Sequence, residues 1–322
     1  MRIQQGNNED VGLIYAKDNA DFKARRLRAV KDDLNSGASV LAHKALEDII
    51  DYAECCVVED TAGLLVELQD LVQQLSQARP SRVVVANLLN YWQNTLPELP
   101  EQLDRARGCA AAHAEEIIEE LQQAQSEAIQ ACLQELSSGM TIMTHSVSSN
   151  VVALFNACFQ TGIKIQAIIT ESRPGMEGRK LARLLNKLSI PTQFITEAQM
   201  AQFVVQADKV IVGADSLLRD GSLISKSGSH LLALAAKDSG IPFWVLAESF
   251  KHSLVLPQDV SLEEMPDEEL QLESMSMVQV RNVYFDLVPA RLITAWVDEQ
   301  GVRVTFRSLA EAPRNLLLTN KN

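Results

Sequence analysis

From about residue 22 to residue 137, apolar positions recur at intervals of three and four, the spacing of one buried helix face. "SVLAHKALEDIIDYAEC", "TAGLLVELQDLVQQLSQA" and "SRVVVANLLNYWQNTL" each carry that pattern. A longer stretch, "ARGCAAAHAEEIIEELQQAQSEAIQACLQEL", sets Ile117, Ile118, Leu121, Ile129 and Leu133 on one stripe. Thr61 and Ser81 read as N-caps, and Pro80, Pro97 and Pro100 punctuate the joins. The pattern predicts an all-helical layer.

The texture changes at Gly139. Short apolar runs at "MTIMTH", "KIQAIIT", "TQFIT", "KVIVGAD", "PFWVLAE" and "VRVTF" predict strands. Between them "NVVALFNACFQTG", "EGRKLARLLNKLS", "EAQMAQFVVQA" and "SGSHLLALAAKDSG" predict helices, two of which end in Gly162 and Gly240. Such alternation describes βα repeats around a mostly parallel sheet. The chain therefore reads as α/β, with an N-terminal helical domain over 1–137 and an α/β domain over 138–322. Ligand sites in such sheets lie beyond the carboxyl ends of the strands, which selects the loops that matter.

Four of those loops carry unusual residues. After the first strand comes "THSVSSN", where Ser146, Ser148 and Ser149 stand beside the start of a helix, a place that favours a phosphate or carboxylate. Ser149 or Asn150 acting as an ordinary helix cap would explain the same loop. After the second strand, Arg173 precedes Pro174, so it is held out of a helix. It could fork onto a phosphate or simply be a solvated surface arginine. After the fourth strand, Asp215 follows the apolar run Val210 to Val212, which predicts a partly buried carboxylate with a tunable pKa. Lys226 then lies in "SLISKSGS", read as a Ser/Gly-rich turn that opens a helix and could cradle an anion. An aspartate and a lysine at one cleft suit acid/base work on an anionic substrate.

Composition narrows the classes. The chain has 322 residues, 47% of them hydrophobic, and a formal net charge of -13, which argues against a surface for nucleic acid. Its five cysteines form no CxxC pair and no zinc spacing, which fits reduced, buried thiols. The first residues lack an apolar core of signal-peptide length, and no window approaches a membrane span, so a cytoplasmic protein is expected. No GxGxxG follows any strand, which leaves a dinucleotide-dependent oxidoreductase with little support. Walker A, GxSxG and metal-spaced clusters are missing as well. His145 could serve as a base or as a hydrogen-bonded packing residue. The stretch "PQDVSLEEMPDEELQLESMSMVQV", residues 257–280, reads as an acidic exposed loop.

"TIMTHSVSSNVV", "TESRPGMEGRKLA", "ADKVIVGADSLLRDGSLISKSGSHLLALAAKDSGIPFWVLAESFK" and "NVYFDLVPARLITAWVDEQGV" stand in the order found in one family. Over residues 139–306 the chain resembles the alpha, beta and delta subunits of eukaryotic initiation factor 2B, whose enzymatic members include methylthioribose-1-phosphate isomerase and ribose-1,5-bisphosphate isomerase. The helical half resembles that family in layout and in "SGAS", Ser36 to Ser39. The resemblance implies a helical domain packed on a Rossmann-like domain, usually dimerised through the latter. It also implies an aldose-to-ketose conversion of a sugar 1-phosphate without a metal or organic cofactor.

By that resemblance Asp215 matches the catalytic aspartate, Arg173 the arginine on the phosphate side and Lys226 the site lysine. Gly37 and Ala38 match a Gly-Ala turn delivered by the helical domain. Three positions depart from the isomerases: Ser146 stands for cysteine, Ser36 for arginine and Ser225 for asparagine. A thiol with a pKa of about 8.5 can be tuned to exchange protons at neutral pH, whereas an unactivated serine hydroxyl is a far poorer acid or base. Losing the arginine weakens bidentate phosphate binding. The expectation is a sugar-phosphate isomerase-like protein that binds a small phosphorylated sugar or nucleotide, with Asp215 and Ser146 at the reacting centre. Gly37, Ala38, Ser148, Arg173, Ser225 and Lys226 would surround the ligand. The other expectation is a non-catalytic regulatory or ligand-binding subunit, and either would associate as a homodimer or larger homo-oligomer.

Overall fold

A computed structural model of the chain describes residues 18–33, 36–80, 82–262 and 264–304. Five helices come first: α1 (Asn19–Asp32), α2 (Ala38–Cys55), α3 (Thr61–Ser76), α4 (Val83–Thr95) and α5 (Leu103–Leu133). Their apolar stripes meet in one core around Leu41, Leu46, Ile49, Leu64, Leu71, Leu88 and Trp92, except that the last turns of α5, with Ala128, Ile129, Cys132 and Leu133, pack into the core of the α/β part. The cap of α3 differs by one residue from the expectation. Asp60 is the N-cap and accepts from the Gly63 N–H at 2.8 Å, while the Thr61 hydroxyl donates to the Pro100 carbonyl at 2.9 Å. Ser81 lies outside the described residues.

The α/β part follows as β1 (Thr141–Thr144), α6 (Ser149–Thr161), β2 (Gln166–Thr170), α7 (Gly178–Lys187), β3 (Thr192–Ile195), α8 (Met200–Phe203), β4 (Lys209–Val212), β5 (Ser216–Leu217), β6 (Leu223–Lys226), α9 (Ser229–Asp238), β7 (Phe243–Leu246), β8 (Phe285–Val288), β9 (Ala295–Asp298) and β10 (Gly301–Arg303). The main sheet runs β10-β9-β7-β4-β1-β2-β3, parallel throughout except for β10 against β9. Its central strands are apolar on both faces, as a sheet covered on both sides requires: Ile142, Met143, Val210, Ile211 and Val212 are buried. The strand order reverses direction between β1 and β4, so the loops after these two strands splay apart and leave a crevice.

Several elements depart from the sequence expectation, among them β9, which no predicted strand covered although it pairs in parallel with β7. "EAQMAQFVVQA" forms a short α-helix between two 3-10 turns. Of its residues Met200, Val204 and Ala207 reach the core, and the adjacent β-branched Val204 and Val205 disfavour a regular helix. Lys226 is also not in a turn. It ends β6, in a second, antiparallel sheet ordered β5-β6-β8 that the sequence pattern did not disclose. Gly228, at φ 107°, makes the turn into α9 instead.

The helical layer is bonded to the α/β part at several points. Asn87 of α4 donates to the carbonyls of Phe250 and His252, both at 2.6 Å, and the Val83 N–H donates to Ser216 Oγ at 3.3 Å. Among the described residues, no helix is long and apolar enough to cross a membrane.

His252 lies buried at this junction, and burial, reinforced by the Arg303 charge, lowers its pKa from 6.5 to about 4. The ring is therefore neutral in the folded protein and takes up a proton on unfolding below pH 6.5. Stability contributed by this group is full above the unfolded value and is lost as pH falls toward 4. By pH 5 the loss should reach about 2 kcal/mol. Urea unfolding at pH 7 and pH 5 should give a smaller pH effect in His252→Gln than in wild type, and identical slopes would contradict this assignment.

Candidate functional site

The crevice between the ends of β1 and β4 opens into a cavity of about 570 Å³, closed above by the start of α2. Its lining includes Gly37, Arg82, Ser146, Glu177, Asp215, Lys226, Tyr284 and Phe285. A narrower recess behind it is lined by Ala38, His145, Ser148, Ser225 and Lys251. Of the residues singled out by sequence, Ser146, Gly37, Ala38, Ser148, Asp215, Ser225 and Lys226 come together here. Arg173 does not: it is exposed on the loop after β2 and absent from the lining of either space. Another hollow of about 620 Å³ lies between α1 and α2, lined by residues such as Arg26, Lys44 and Asp48, without any strand-end loop.

The loop after β1 is held in an unusual shape. Ser146 has φ 65°, a left-handed conformation that serine rarely adopts. A chain of hydrogen bonds fixes it. The Ser146 N–H donates to Ser172 Oγ at 2.9 Å, Ser172 Oγ meets Thr170 Oγ1 at 3.0 Å, and Thr170 Oγ1 meets His145 Nδ1 at 2.7 Å. His145 Nε2 lies 2.8 Å from the Ser227 carbonyl, which can only accept, so this nitrogen carries the proton and Nδ1 receives one from Thr170. Burial lowers the histidine pKa and keeps the ring neutral, as this pattern requires. His145 is thus a hydrogen-bonded packing residue that positions Ser146, one of its two readings from sequence.

Ser148 is the N-cap of α6 but makes no side-chain cap bond. Its hydroxyl packs against Gly213, where any Cβ would come within 2.1 Å of the oxygen, so the "VGAD" glycine is required by space. Asn150 is not a cap either. It is fully buried, donates to Glu248 Oε2 at 2.7 Å and to the Leu246 carbonyl at 3.3 Å, and accepts from Gln125 at 2.5 Å.

Asp215 lies two residues beyond Gly213, its backbone N–H bonded to the Ile224 carbonyl at 2.9 Å. Its side chain is 19% exposed, facing into the cavity, and burial raises its pKa against the opposing pull of Arg82, Lys251, Arg79 and Lys226. Arg82 Nε is 3.8 Å from Oδ1. Lys226 is buried, its ammonium 3.2 Å from Glu177 Oε1 and 3.3 Å from the Tyr284 ring centroid. Burial lowers the lysine pKa, with Glu177 pulling the other way. Ser146 Oγ donates to the same Glu177 oxygen at 2.8 Å. Ser225 Oγ turns away, donating to the Gly213 carbonyl at 3.2 Å.

Below the recess, Glu248 is completely buried. It accepts from Ser39 Oγ at 2.5 Å and from Asn150, and its Oε1 is 3.5 Å from Lys251 Nζ. Burial opposes its charge, but Lys251, Asn150 and Ser39 outweigh that and hold the pKa below the usual value.

Sequence reading missed Arg79, Arg82, Glu177, Lys251, Tyr284 and Glu269. Arg82 was discoverable: it is the N-cap of α4, where the helix dipole disfavours a cation, so an anion or carbonyl partner is required nearby, while Arg79 stands in the link between α3 and α4. Arg79 donates to the Asp33 carbonyl at 3.0 Å and Arg82 to that of Ser36, which pins the approach to α2. Glu269, from the acidic loop, lines the cavity and accepts from Asn282 at 3.1 Å, so that loop does more than solvate. Among the described residues, no three His, Cys, Asp or Glu side chains group as metal donors.

Comparison with known proteins identifies the architecture. The family model described as the initiation factor 2 subunit family matches residues 34–305. The eIF-2B subunit 2-like protein of Pyrococcus furiosus is 33% identical over 284 residues, covering 88% of this chain and 96% of that protein. The ribose 1,5-bisphosphate isomerase of Haloterrigena turkmenica is 30% identical over 279 residues, covering 82% and 85%. The crystal structure of the Pyrococcus horikoshii translation initiation factor eIF-2B superposes with a TM-score of 0.76 at 30% identity, covering 91% of this chain and 98% of that one. The chain belongs to the initiation factor 2 subunit family.

The Glu248 assembly gives this site a direct test. In Glu248→Gln the Lys251 charge loses its buried partner, which should cost about 3–5 kcal/mol of unfolding free energy. A loss under about 1 kcal/mol in guanidinium unfolding would show that the carboxylate is not the support described.

Proposed function

We propose that this member of the initiation factor 2 subunit family is a ligand-binding protein whose switch-point cavity takes a small phosphorylated sugar or nucleotide. The observation that carries the reading is the convergence of Asp215, Lys226 and Arg82 on one cavity at the ends of β1 and β4. A half-buried carboxylate beside two cations can accept sugar hydroxyls, while the cations and the loop at the start of α6 face the anionic part. Relatives that include ribose 1,5-bisphosphate isomerases support the ligand class. Arg82, at the N-cap of α4, supplies positive charge that Ser36 lacks.

Isomerisation is the second reading, favoured by Asp215, whose raised pKa suits a proton exchanger. Ser146 weighs against rapid turnover because its hydroxyl is a far weaker acid than a thiol and is already engaged by the Glu177 carboxylate, which is also paired with Lys226. His145, the nearest imidazole in the loop, spends both ring nitrogens on Thr170 and Ser227. The protein is thus read as a binder first, with isomerase activity slow. Self-association is part of the proposal: Leu231 and Leu234 of α9 and the neighbouring Val205 are exposed apolar residues suited to a second copy.

Thermal unfolding with ribose 1,5-bisphosphate, methylthioribose 1-phosphate and nucleoside monophosphates tests the reading. At a hundred times the dissociation constant a ligand should add about 2.7 kcal/mol of stability, and no response to any of them would overturn it. Ser146→Cys, assayed for ketose product, should raise turnover on whichever sugar 1-phosphate binds. An unchanged rate with binding retained would remove the isomerase reading.

A further inference from the structure

Each buried cation of the site faces a carboxylate: Arg82 with Asp215 at 3.8 Å, Lys226 with Glu177 at 3.2 Å and Lys251 with Glu248 at 3.5 Å. The cavity lining is itself charge-balanced, Arg82, Lys180 and Lys226 against Asp215, Glu177 and Glu269, so an entering phosphate dianion meets carboxylates as well as cations. The carboxylates of the three pairs are not equally fixed. Glu248 is completely buried and receives Ser39 and Asn150 besides Lys251. Asp215 is set at a strand end by its own backbone bond to Ile224. Glu177 is different. It precedes α7, makes no cap bond to that helix, and its side chain remains 21% exposed.

The carboxylate of Glu177 also occupies the place a ligand anion would take. Its Oε1 holds both Lys226 Nζ and the Ser146 hydroxyl, the cation and donor that face the cavity from β6 and from the loop after β1. Its other oxygen, Oε2, is buried and accepts no hydrogen bond among the described residues. Space for it is kept open by Gly175, where a Cβ would fall 2.7 Å from Oε2 and 2.5 Å from the Tyr284 hydroxyl. Lys226 Nζ meets this carboxylate by charge alone and, like Oε2, makes no hydrogen bond among the described residues, so the side chain fills the seat without satisfying it, the arrangement of an internal competitor.

We propose that Glu177 is a resident anion that holds the Lys226 and Ser146 seat in the empty protein and must turn out for a phosphate group to enter. It is a specificity-determining residue: it sets the affinity of the cavity for phosphate monoesters without touching the neutral part of a ligand. The inference rests on the ligand-binding reading above and adds to it which side chain the phosphate displaces.

Isothermal titration of the full chain with ribose 1,5-bisphosphate and with inorganic phosphate tests this. Removing one negative charge from beside the seat should let Glu177→Gln bind both probes about tenfold or more tightly than wild type. That gain should vanish in Glu177→Gln combined with Lys226→Met, and affinity for unphosphorylated ribose should stay within about twofold. Glu177→Ala provides a second variant with the charge removed, and circular dichroism melting establishes that each is folded. If wild type binds and Glu177→Gln binds equally or more weakly, Glu177 is a ligand contact and the inference fails while the binding reading stands. If neither protein binds either probe, both fail. A gain that survives Lys226→Met also overturns the proposal.

Discussion

One buried carboxylate organises the region on which everything else stands. Glu248 has no exposure, and removing a carboxylate from water costs several kcal/mol unless donors replace it. Here the donors come from three separate segments: Ser39 on α2, Asn150 on α6 and Lys251 in the turn after β7. Meeting those bonds brings the first turn of α2 against the loops at the strand ends. Gly37 and Ala38 thereby become the roof of a cavity whose floor belongs to the sheet. Asn87, reaching across to Phe250 and His252, repeats the attachment one helix away.

With the roof fixed, the chemistry of the cavity follows from topology. The reversal of strand order between β1 and β4 leaves two loops facing one space, and each delivers its side chain by a local constraint. Ser146 is turned inward by a left-handed backbone secured through Ser172, Thr170 and His145. Asp215 emerges because Gly213 lets the strand end pass Ser148 without a side chain in the way. The small antiparallel sheet adds Lys226, and burial of that lysine against Tyr284 makes the pairing with Glu177 matter more than it would in water. A site with charges matched inside it favours ligands that can exchange partners with those charges over anions in general.

Much of this was legible from sequence because the relevant signals are local. Helical period, the parallel strands other than β9 and the strand-end position of Asp215 each depend on a few consecutive residues. Ser146 and Gly37 were recognisable from the family's motifs. Arg173 illustrates the limit, since standing before Pro174 fixes its backbone but not which way its loop faces, and it stays exposed outside the cavity lining. Lys226 reaches the cavity from a strand and not from the expected turn: β6 pairs with β8 some 60 residues later, and such long-range pairing has no local signature. Glu177 was hidden for the same cause, because its partners Ser146 and Lys226 come from elements on either side of it in the chain.

The central claim is that the crevice between β1 and β4 is the ligand site. A crystal structure of the protein with ribose 1,5-bisphosphate at saturating concentration addresses it most directly. The account predicts the sugar hydroxyls against Asp215, a phosphate against Lys226 and the Ser146 hydroxyl, and Glu177 turned away. A ligand seated in the hollow between α1 and α2, or a solvent-filled crevice beside an unmoved Glu177, would contradict it.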